Sequence, residues 1–376
     1  MSDITLVLLG AGNSTRFTLP VKKQWLYSDD KPLWLQVANS FKKMNIFKSI
    51  IIVSSQRDID YMRYFSDSYR FVVGGSSRQA SLKNALSYVD SSYVMVSDIA
   101  RCCTPKEMID RIIEAKEKAS CIVPTLKVTD TLYFKDAPID REEVKIIQTP
   151  QLSVTSLLKK ALESEVEFTD DSSAISSLGE KVFFVEGDKL AHKLTTTKDL
   201  QYLPCLKAPK DINLVGFGID THPFEEGKSM VLCGVEIESD FGFKAHSDGD
   251  VAIHSIIDAI LGACGMGDIG ELYPDSDSSY SNIDSKILLK DTISRVNSFG
   301  FELINIDLTI VAQKPRLNRY KATMKHSLAK ILNIAPNFIN IKATTSEKLG
   351  FIGREEGVTV HSVANVKYFN HKEIGQ

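Results

Sequence analysis

Residues 245–254 read Ala245-His246-Ser247-Asp248-Gly249-Asp250-Val251-Ala252-Ile253-His254, followed by Asp258-Ala259-Ile260-Leu261-Gly262. A polar opening before an apolar run predicts a helix over about 249–263, with His254 one turn after Asp250 and one turn before Asp258. His254 lies 32 positions after His222, in a segment where Asp220-Thr221-His222 closes a strand-like run. Residues i and i+2 of an extended chain point to the same side, so Asp220 and His222 sit together. Two ligands from a strand end and one from a helix make a tripod that leaves a fourth tetrahedral position open, as catalytic zinc sites do. Taken singly, each feature has a plainer reading. An Asp-x-His pair is more often a surface turn, a lone helical histidine is more often packed, and Ser247 or Asp248 serves as a helix cap. The full string decides between them.

Outward from this segment, strand-like stretches near 212–219, 303–312, 338–344 and 358–367 accompany helical stretches near 249–263, 284–298 and 319–332. One sheet with a helical layer, an α+β fold, fits that pattern. Two prolines interrupt the pattern between Pro204 and Lys210, which places the expected domains at 1–207 and 208–376. In the first half, short β-branched runs (4–9, 49–53, 71–73, 93–97, 120–123, 182–185) alternate with helical segments 33–44, 77–88 and 105–118. That rhythm predicts an α/β, Rossmann-like domain with a mostly parallel sheet. Val128 to Gln148 breaks it with two extended pieces around Asp136-Ala137-Pro138, a projecting β-arm suited to an oligomer.

After the first strand comes Gly10-Ala11-Gly12-Asn13-Ser14-Thr15-Arg16, then Lys22-Lys23-Gln24. A glycine-bearing turn leaving a strand brings backbone N–H groups to phosphate oxygens, and cationic side chains neutralise a triphosphate. The segment is not a Walker A sequence, and Thr15 stands where GxGxxG needs its third glycine. Read alone it is equally a solvated strand-to-loop turn.

Composition narrows the rest. The 376 residues are 43% hydrophobic and 25% charged with a net charge of −3, which gives no footprint for nucleic acid. Cysteines at 102, 103, 121, 205, 233 and 264 form no CxxC pair, so reduced thiols are expected, with neither a disulfide scaffold nor a cysteine zinc site. The opening run Ile4 to Leu9 follows Asp3 and is too short for a signal-peptide core, and nothing approaches the ~18 apolar residues of a membrane span. A cytoplasmic protein without membrane contact is expected.

Residues 1–203 resemble the methylerythritol phosphate cytidylyltransferase family. The resemblance rests on the Ala11-Gly12, Arg16 and Lys23-Gln24 loop, on Gly74 to Ser81, and on Ser97-Asp98-Ile99-Ala100-Arg101. It continues through Asp130-Thr131, Arg141, Thr149-Pro150-Gln151, Thr169-Asp170-Asp171 and Lys193. It implies that Arg16 and Lys23 stabilise the pentacoordinate phosphorus, and that Ala11, Gly12, Gly75, Ser81 and Asp98 bind CTP, with Asp98 helping to hold Mg²⁺. Arg101, Thr131, Arg141 and Lys193 would bind the polyol phosphate, Thr131 and Arg141 reaching a partner's site in a dimer. Four positions depart from the family pattern: Ser14 replaces a glycine, Lys22 a proline, Ser97 a histidine and Ile99 an alanine.

The second half resembles methylerythritol cyclodiphosphate synthases. The 245–262 string is joined by Gly267-Asp268-Ile269-Gly270, Pro274-Asp275-Ser276-Asp277, Ala312 to Arg316 and Lys342 to Phe351. The resemblance implies Zn²⁺ on Asp220, His222 and His254, and a second ion, Mg²⁺ or Mn²⁺, at Glu347, with Thr345 beside it in catalysis. Substrate contacts fall to His246, Ser247, Asp268, Gly270, Asp275, Pro315, Arg316, Thr344, Phe351 and Arg354. It also implies a trimer with each site shared between subunits, so that the two halves together point to a homo-oligomer, a hexamer being the smallest complete assembly.

Jointly the halves resemble a bifunctional isoprenoid-precursor enzyme using CTP, methylerythritol phosphate and the phosphorylated CDP-methylerythritol. An ATP-dependent kinase must act between the two reactions; the sequence holds no kinase motif, so it is a separate chain and a candidate for docking. Two rivals stay open here. One is an active synthase with a degenerate nucleotidyltransferase half acting as an assembly module; the other is a nicotinamide-dependent oxidoreductase fused to a metal-binding module.

Overall fold

A strand with no polar alternation must be covered on both faces. Ile4–Leu9, strand β1, is buried along its whole length. The computed structural model describes residues 3–12, 14–245, 247–274, 276–280 and 283–374. It divides into two compact units, Met1–Pro209 with Asn370–Gln376, and Lys210–Phe369.

In the first unit β1 is followed by β2 (Tyr27–Ser28), β3 (Lys31–Pro32), α1 (Leu33–Lys43), β4 (Ser49–Ser54), α2 (Gln56–Met62), β5 (Arg70–Val73), α3 (Arg78–Leu86) and β6 (Tyr93–Asp98). Then come α4 (Lys106–Glu114), β7 (Cys121–Lys127), β8 (Leu132–Phe134), β9 (Ala137–Ile139), β10 (Lys145–Ile147), β11 (Gln151–Val154), α5 (Thr155–Ala161), α6 (Asp171–Ser177) and β12 (Val182–Glu186). The main sheet runs β10-β7-β11-β6-β1-β4-β5, with β12 beside β7. Strands β6, β1, β4 and β5 are parallel, whereas β11 and β10 are antiparallel to their neighbours. Val7, Leu9, Ile51, Val53 and Val96 form one sheet face and meet Leu82 and Leu86 of α3 in a common core. Side chains cap the helices that border the first site: Ser55 accepts from the Asp58 N–H, Ser77 from Ala80 and Asp170 from Ser173.

Two expectations change. The arm is shorter than residues 128–148, because only the β8–β9 hairpin stands apart while β10 returns to pair with β7. The thiols are not all reduced: Cys103 and Cys205, 102 positions apart, are joined with a Cα–Cα distance of 5.5 Å. A pairing across that separation leaves no local spacing for the sequence to reveal.

The second unit opens with β13 (Leu214–Glu226), β14 (Met230–Leu232), β15 (Val235–Ile237), β16 (Phe241–Phe243), α7 (Val251–Cys264), α8 (Ile269–Leu272) and α9 (Ser285–Ser298). It continues through β17 (Phe301–Val311), α10 (Lys321–Leu332), β18 (Ile339–Thr344), α11 (Gly350–Gly353) and β19 (Gly357–Tyr368). Its sheet is ordered β16-β13-β19-β17-β18, antiparallel except for β17 with β18. Helix α7 starts one residue after its cap, Asp250, rather than at Ser247 or Asp248, and stops at Gly265, whose φ of 63° suits a left-handed terminus. It lies on β13 at Gly216 and Gly218: a Cβ at Gly216 would run into the Ala259 carbonyl oxygen, and one at Gly218 into that of Ser255. No helix among the described residues is long and apolar enough to cross a membrane.

A methyl group at this contact forces strand and helix apart. Gly218→Ala is expected to destabilise the second unit by about 3 kcal/mol, read as a fall in its unfolding midpoint, while an alanine at Gly227, strained by a φ of 77° but meeting no neighbouring atom, costs less.

Candidate active sites

The end of β13 and the first turns of α7 bring the tripod together. Asp220 Oδ2 lies 3.1 Å from His222 Nε2 and 3.2 Å from His254 Nδ1. The other nitrogen of each ring is already engaged: His222 Nδ1 faces the Gly249 carbonyl at 3.2 Å, and His254 Nε2 faces Ser285 Oγ at 3.0 Å and Ser247 Oγ at 3.2 Å. Ser285 Oγ in turn donates to Asp248. These outer contacts orient both rings, so that one nitrogen of each points with the carboxylate at a common centre, as second-shell partners do at metal sites. One donor atom from each of Asp220, His222 and His254 falls within 4.8 Å of the others. Burial disfavours charge on both groups; even so the two imidazoles hold the Asp220 carboxyl well below its usual range, and Asp220 raises His222. The donor set and its orientation fit a divalent cation with nitrogen and oxygen ligands.

A cavity of about 430 Å³ opens beside the tripod, lined among others by Lys244, Ser247, Asp258, Gly270, Tyr280 and Ile283. Asp268 caps α8 at its rim, accepting from the Glu271 N–H at 2.9 Å. Glu347, Thr344, Thr345, Pro315, Arg316, Phe351 and Arg354 do not line it. They gather at the ends of β17 and β18 and on α11, where Thr345 Oγ1 donates to Glu347 at 3.0 Å and Arg354 is paired with Glu356. Thr221, Thr359, Val311 and Thr344 are register partners on successive strands, so Thr344 stands about 14 Å across the sheet from the tripod strand. His246 and Asp275 lie outside the described residues.

In the first unit the end of β6 supplies Asp98 and the turn after it supplies Arg101. Lys193 Nζ pairs with Asp98 Oδ2 at 2.8 Å, Thr149 donates to the same oxygen at 3.3 Å, and Arg101 Nε donates to Thr149 Oγ1 at 2.7 Å. Burial works against the Asp98 charge, but Lys193 and Arg78 outweigh it and keep its pKa below normal. Lys23 is pulled down by burial and then by the like charges of Lys193 and Arg16, so three cations lie close together beside Asp98. A cavity of about 340 Å³ is bounded by Arg78, Asp98, Arg101, Thr149, Asp170 and Lys193. Above it Gly75 N–H donates to Ser81 Oγ at 3.0 Å, and Ala11 packs so closely that a Cβ at Gly74 would strike its methyl. Gly12 has open space around it and Arg16 is exposed. Thr131 and Arg141 are exposed near the arm, away from the cavity, with Arg141 donating to the Thr129 carbonyl at 2.7 Å.

Residues 4–204 match the family described as 2-C-methyl-D-erythritol 4-phosphate cytidylyltransferase, and residues 214–367 match the YgbB family. A bifunctional enzyme IspD/IspF of Sulfurovum sp. is 64% identical, covering 99% of this chain and all of the relative. The chain belongs to the bifunctional IspD/IspF family. A second member, from Campylobacter curvus, is 53% identical over 98% of this chain and 99% of its own. The solved structure of the bifunctional IspDF from Campylobacter jejuni superposes with a TM-score of 0.92 at 49% identity, covering 99% of this chain and 100% of that one. Both halves match end to end with no sign of a degenerate half, so the first half is a cytidylyltransferase and neither rival reading stands.

Against the IspD pattern, three of the four departures have physical accounts, and nothing in the structure explains Ser97. Ser14 takes φ 53°, the left-handed region that a glycine there would enter freely, at a cost of about 1 kcal/mol. Ile99 is buried, and a Cβ at Gly10 would collide with its Cδ1, so isoleucine fills the space that glycine leaves. Ser97 is fully buried inside β6 with its hydroxyl unpartnered. Lys22 stands in for a ring by charge: its Nζ reaches both oxygens of buried Asp58 at 2.9 Å. Asp58 also accepts from Gln24, Trp25 and Ser55, and so clamps the segment that carries Lys23. Sequence reasoning missed Asp58, which lies 36 residues from Lys22, and Ser285, which lies 31 from His254. Neither has a local motif to mark it.

Removing a buried partner of an ion pair leaves polar groups stranded. Asp58→Ala is expected to destabilise the first unit by about 3 kcal/mol and to lower kcat/KM for cytidylyl transfer more than cyclisation, when both reactions are assayed on one folded sample.

Proposed function

We propose how the two activities are divided among these residues. In the first half, CMP passes from CTP to 2-C-methyl-D-erythritol 4-phosphate with release of pyrophosphate. Lys23 and Arg16 neutralise the charge that builds on the α-phosphorus, and Ala11, Gly12, Gly75 and Ser81 hold the nucleotide. Arg101 and Lys193 hold the acceptor's phosphate from one chain, while Thr131 and Arg141, exposed near the arm, serve the partner's site. Catalysis here is positioning and charge stabilisation, without a protein nucleophile.

In the second half, the 2-phosphate of phosphorylated CDP-methylerythritol attacks the β-phosphorus, expelling CMP and closing the cyclic diphosphate. The oriented Asp220, His222 and His254 cluster is the observation that carries this reading. Zn²⁺ on that cluster, Mg²⁺ or Mn²⁺ at Glu347, and Mg²⁺ at Asp98 in the first half supply neutralisation of phosphate charge when bound. Ser247 and Gly270 face the polyol side of the cavity, with His246 and Asp275 assigned beside them by the resemblance, and Asp268 the ribose. Thr344, Thr345, Pro315, Arg316, Phe351 and Arg354 form the cytidine side.

The roughly 14 Å between tripod strand and Thr344 supports a site completed by a neighbouring subunit. Val215, Phe217 and Ile219 are 64%, 60% and 51% exposed on one face of β13, and Tyr133 and Phe134 of the arm are 68% and 66% exposed. Two separate apolar surfaces suit a three-fold and a two-fold contact, hence a hexamer. The intervening kinase is a separate chain, for which docking is a further possibility of the same assembly.

Lys23→Ala is expected to cut cytidylyl transfer by about 100-fold or more and to spare cyclisation, and Glu347→Gln to do the reverse. Pyrophosphate and CMP release measured on each folded variant decide it; loss of both reactions in either variant would overturn the two-site assignment. Light scattering is expected to give six chains per particle, and a monodisperse monomer would contradict both shared-site proposals.

A further inference from the structure

Three sulfur atoms from distant parts of the sequence meet in the first unit. Cys102 and Cys103 directly follow Arg101 on the turn after β6, and Cys205 lies near the unit's close. Cys102 Sγ is 3.9 Å from Cys103 Sγ and 3.7 Å from Cys205 Sγ, while Cys103 and Cys205 are bonded. The Cys205 backbone N–H donates to Cys103 Sγ at 3.3 Å. The other cysteines, Cys121, Cys233 and Cys264, are buried outside this group.

Thiolates bound tetrahedrally at about 2.3 Å from a zinc ion stand about 3.8 Å from each other. Two edges of the sulfur triangle already have that length; only the Cys103–Cys205 edge has to open. We propose that the reduced Cys102, Cys103 and Cys205 form a thiolate site for one thiophilic divalent cation, of the zinc and cadmium class. An external dithiol supplies the two electrons and two protons that cleave the Cys103–Cys205 bond and leaves as its own disulfide. Binding of the cation then releases the three thiol protons. A bound cation deprotonates its thiols outright.

Such a site ties two parts of the first unit together. Arg101, next to Cys102, holds Thr149 and the Ala191 carbonyl, and the Cys205 carbonyl accepts from Gln36 at 3.2 Å. The site shares no ligand with the Asp220 tripod, which holds no sulfur.

The test uses the full-length protein, demetallated, reduced with a phosphine and titrated with Cd²⁺ without oxygen. The expected result is a sulfur-to-cadmium charge-transfer absorption whose final amplitude corresponds to one sulfur-bound cadmium per chain, with affinity about tenfold or more weaker in both C102S and C205S, and with its full amplitude retained in D220A. Protein left unreduced is expected to show no such band. Circular dichroism confirms that each variant is folded, and the two serine variants probe different segments. Absence of the band in reduced protein overturns the proposal, as does a band of undiminished affinity in either serine variant.

Discussion

The second site depends on one close contact, the passage of helix α7 over strand β13 at two glycines. Gly216 and Gly218 have no side chains to hold the helix away, and the Ser255 hydroxyl on α7 donates to the Gly218 carbonyl at 3.2 Å. With helix and strand so near, Asp220 and His222, which follow on the same strand face, come within hydrogen-bonding distance of His254. A bulkier strand would separate the three side chains proposed to share one ion, and metal sites tolerate little displacement of their donors. The contact also explains an inversion along β13. Its glycine face is buried and its Val215, Phe217 and Ile219 face is exposed, the reverse of the usual arrangement in a sheet packed on one helical layer.

The first site is organised by charge instead of by a tripod. Lys23, Arg16 and Lys193 lie close enough to repel one another, and Asp98 relieves that repulsion. A cluster of this kind is poised to gain from an anion, since bound phosphate removes the repulsion and supplies the missing partner. The loop that carries Lys23 needs rigidity to benefit, because a mobile cation loses in entropy what it gains in attraction. Buried Asp58, gripping Lys22, Gln24 and Trp25, provides it. A proline ring would restrict the backbone directly; here an ion pair and neutral hydrogen bonds restrict it from a neighbouring helix.

Under the proposed assignment both sites handle phosphorus without a protein nucleophile, and both would be completed by a neighbouring chain. Arg141 and Thr131 are exposed near an arm away from the first cavity, and Glu347 stands strands away from the second. The exposed apolar residues of the arm and of β13 lie on the elements that carry these displaced groups or the tripod itself. In the proposed assembly these strands would serve both subunit contact and catalysis, which is a physical reason for apolar side chains on solvent-facing positions.

Much of this was legible in the residues. The buried run Ile4 to Leu9, the helix after Asp250 and the i, i+2 placement of Asp220 and His222 follow from local periodicity, and the two families follow from ordered motifs. What stayed hidden was of longer range. The antiparallel return of β10, the Asp58 clamp, the Ser285 contact to His254 and the meeting of Cys102, Cys103 and Cys205 each join residues with no fixed spacing. Periodicity reports which face of an element is apolar, but not which distant element covers it. For β13 only the crossing of α7 decides that glycine, and not valine or phenylalanine, lies inside. The sequence by itself determined the elements and the kinds of chemistry available; the tertiary packing decided which donors share a centre, because that depends on distances between chain segments that no local rule contains.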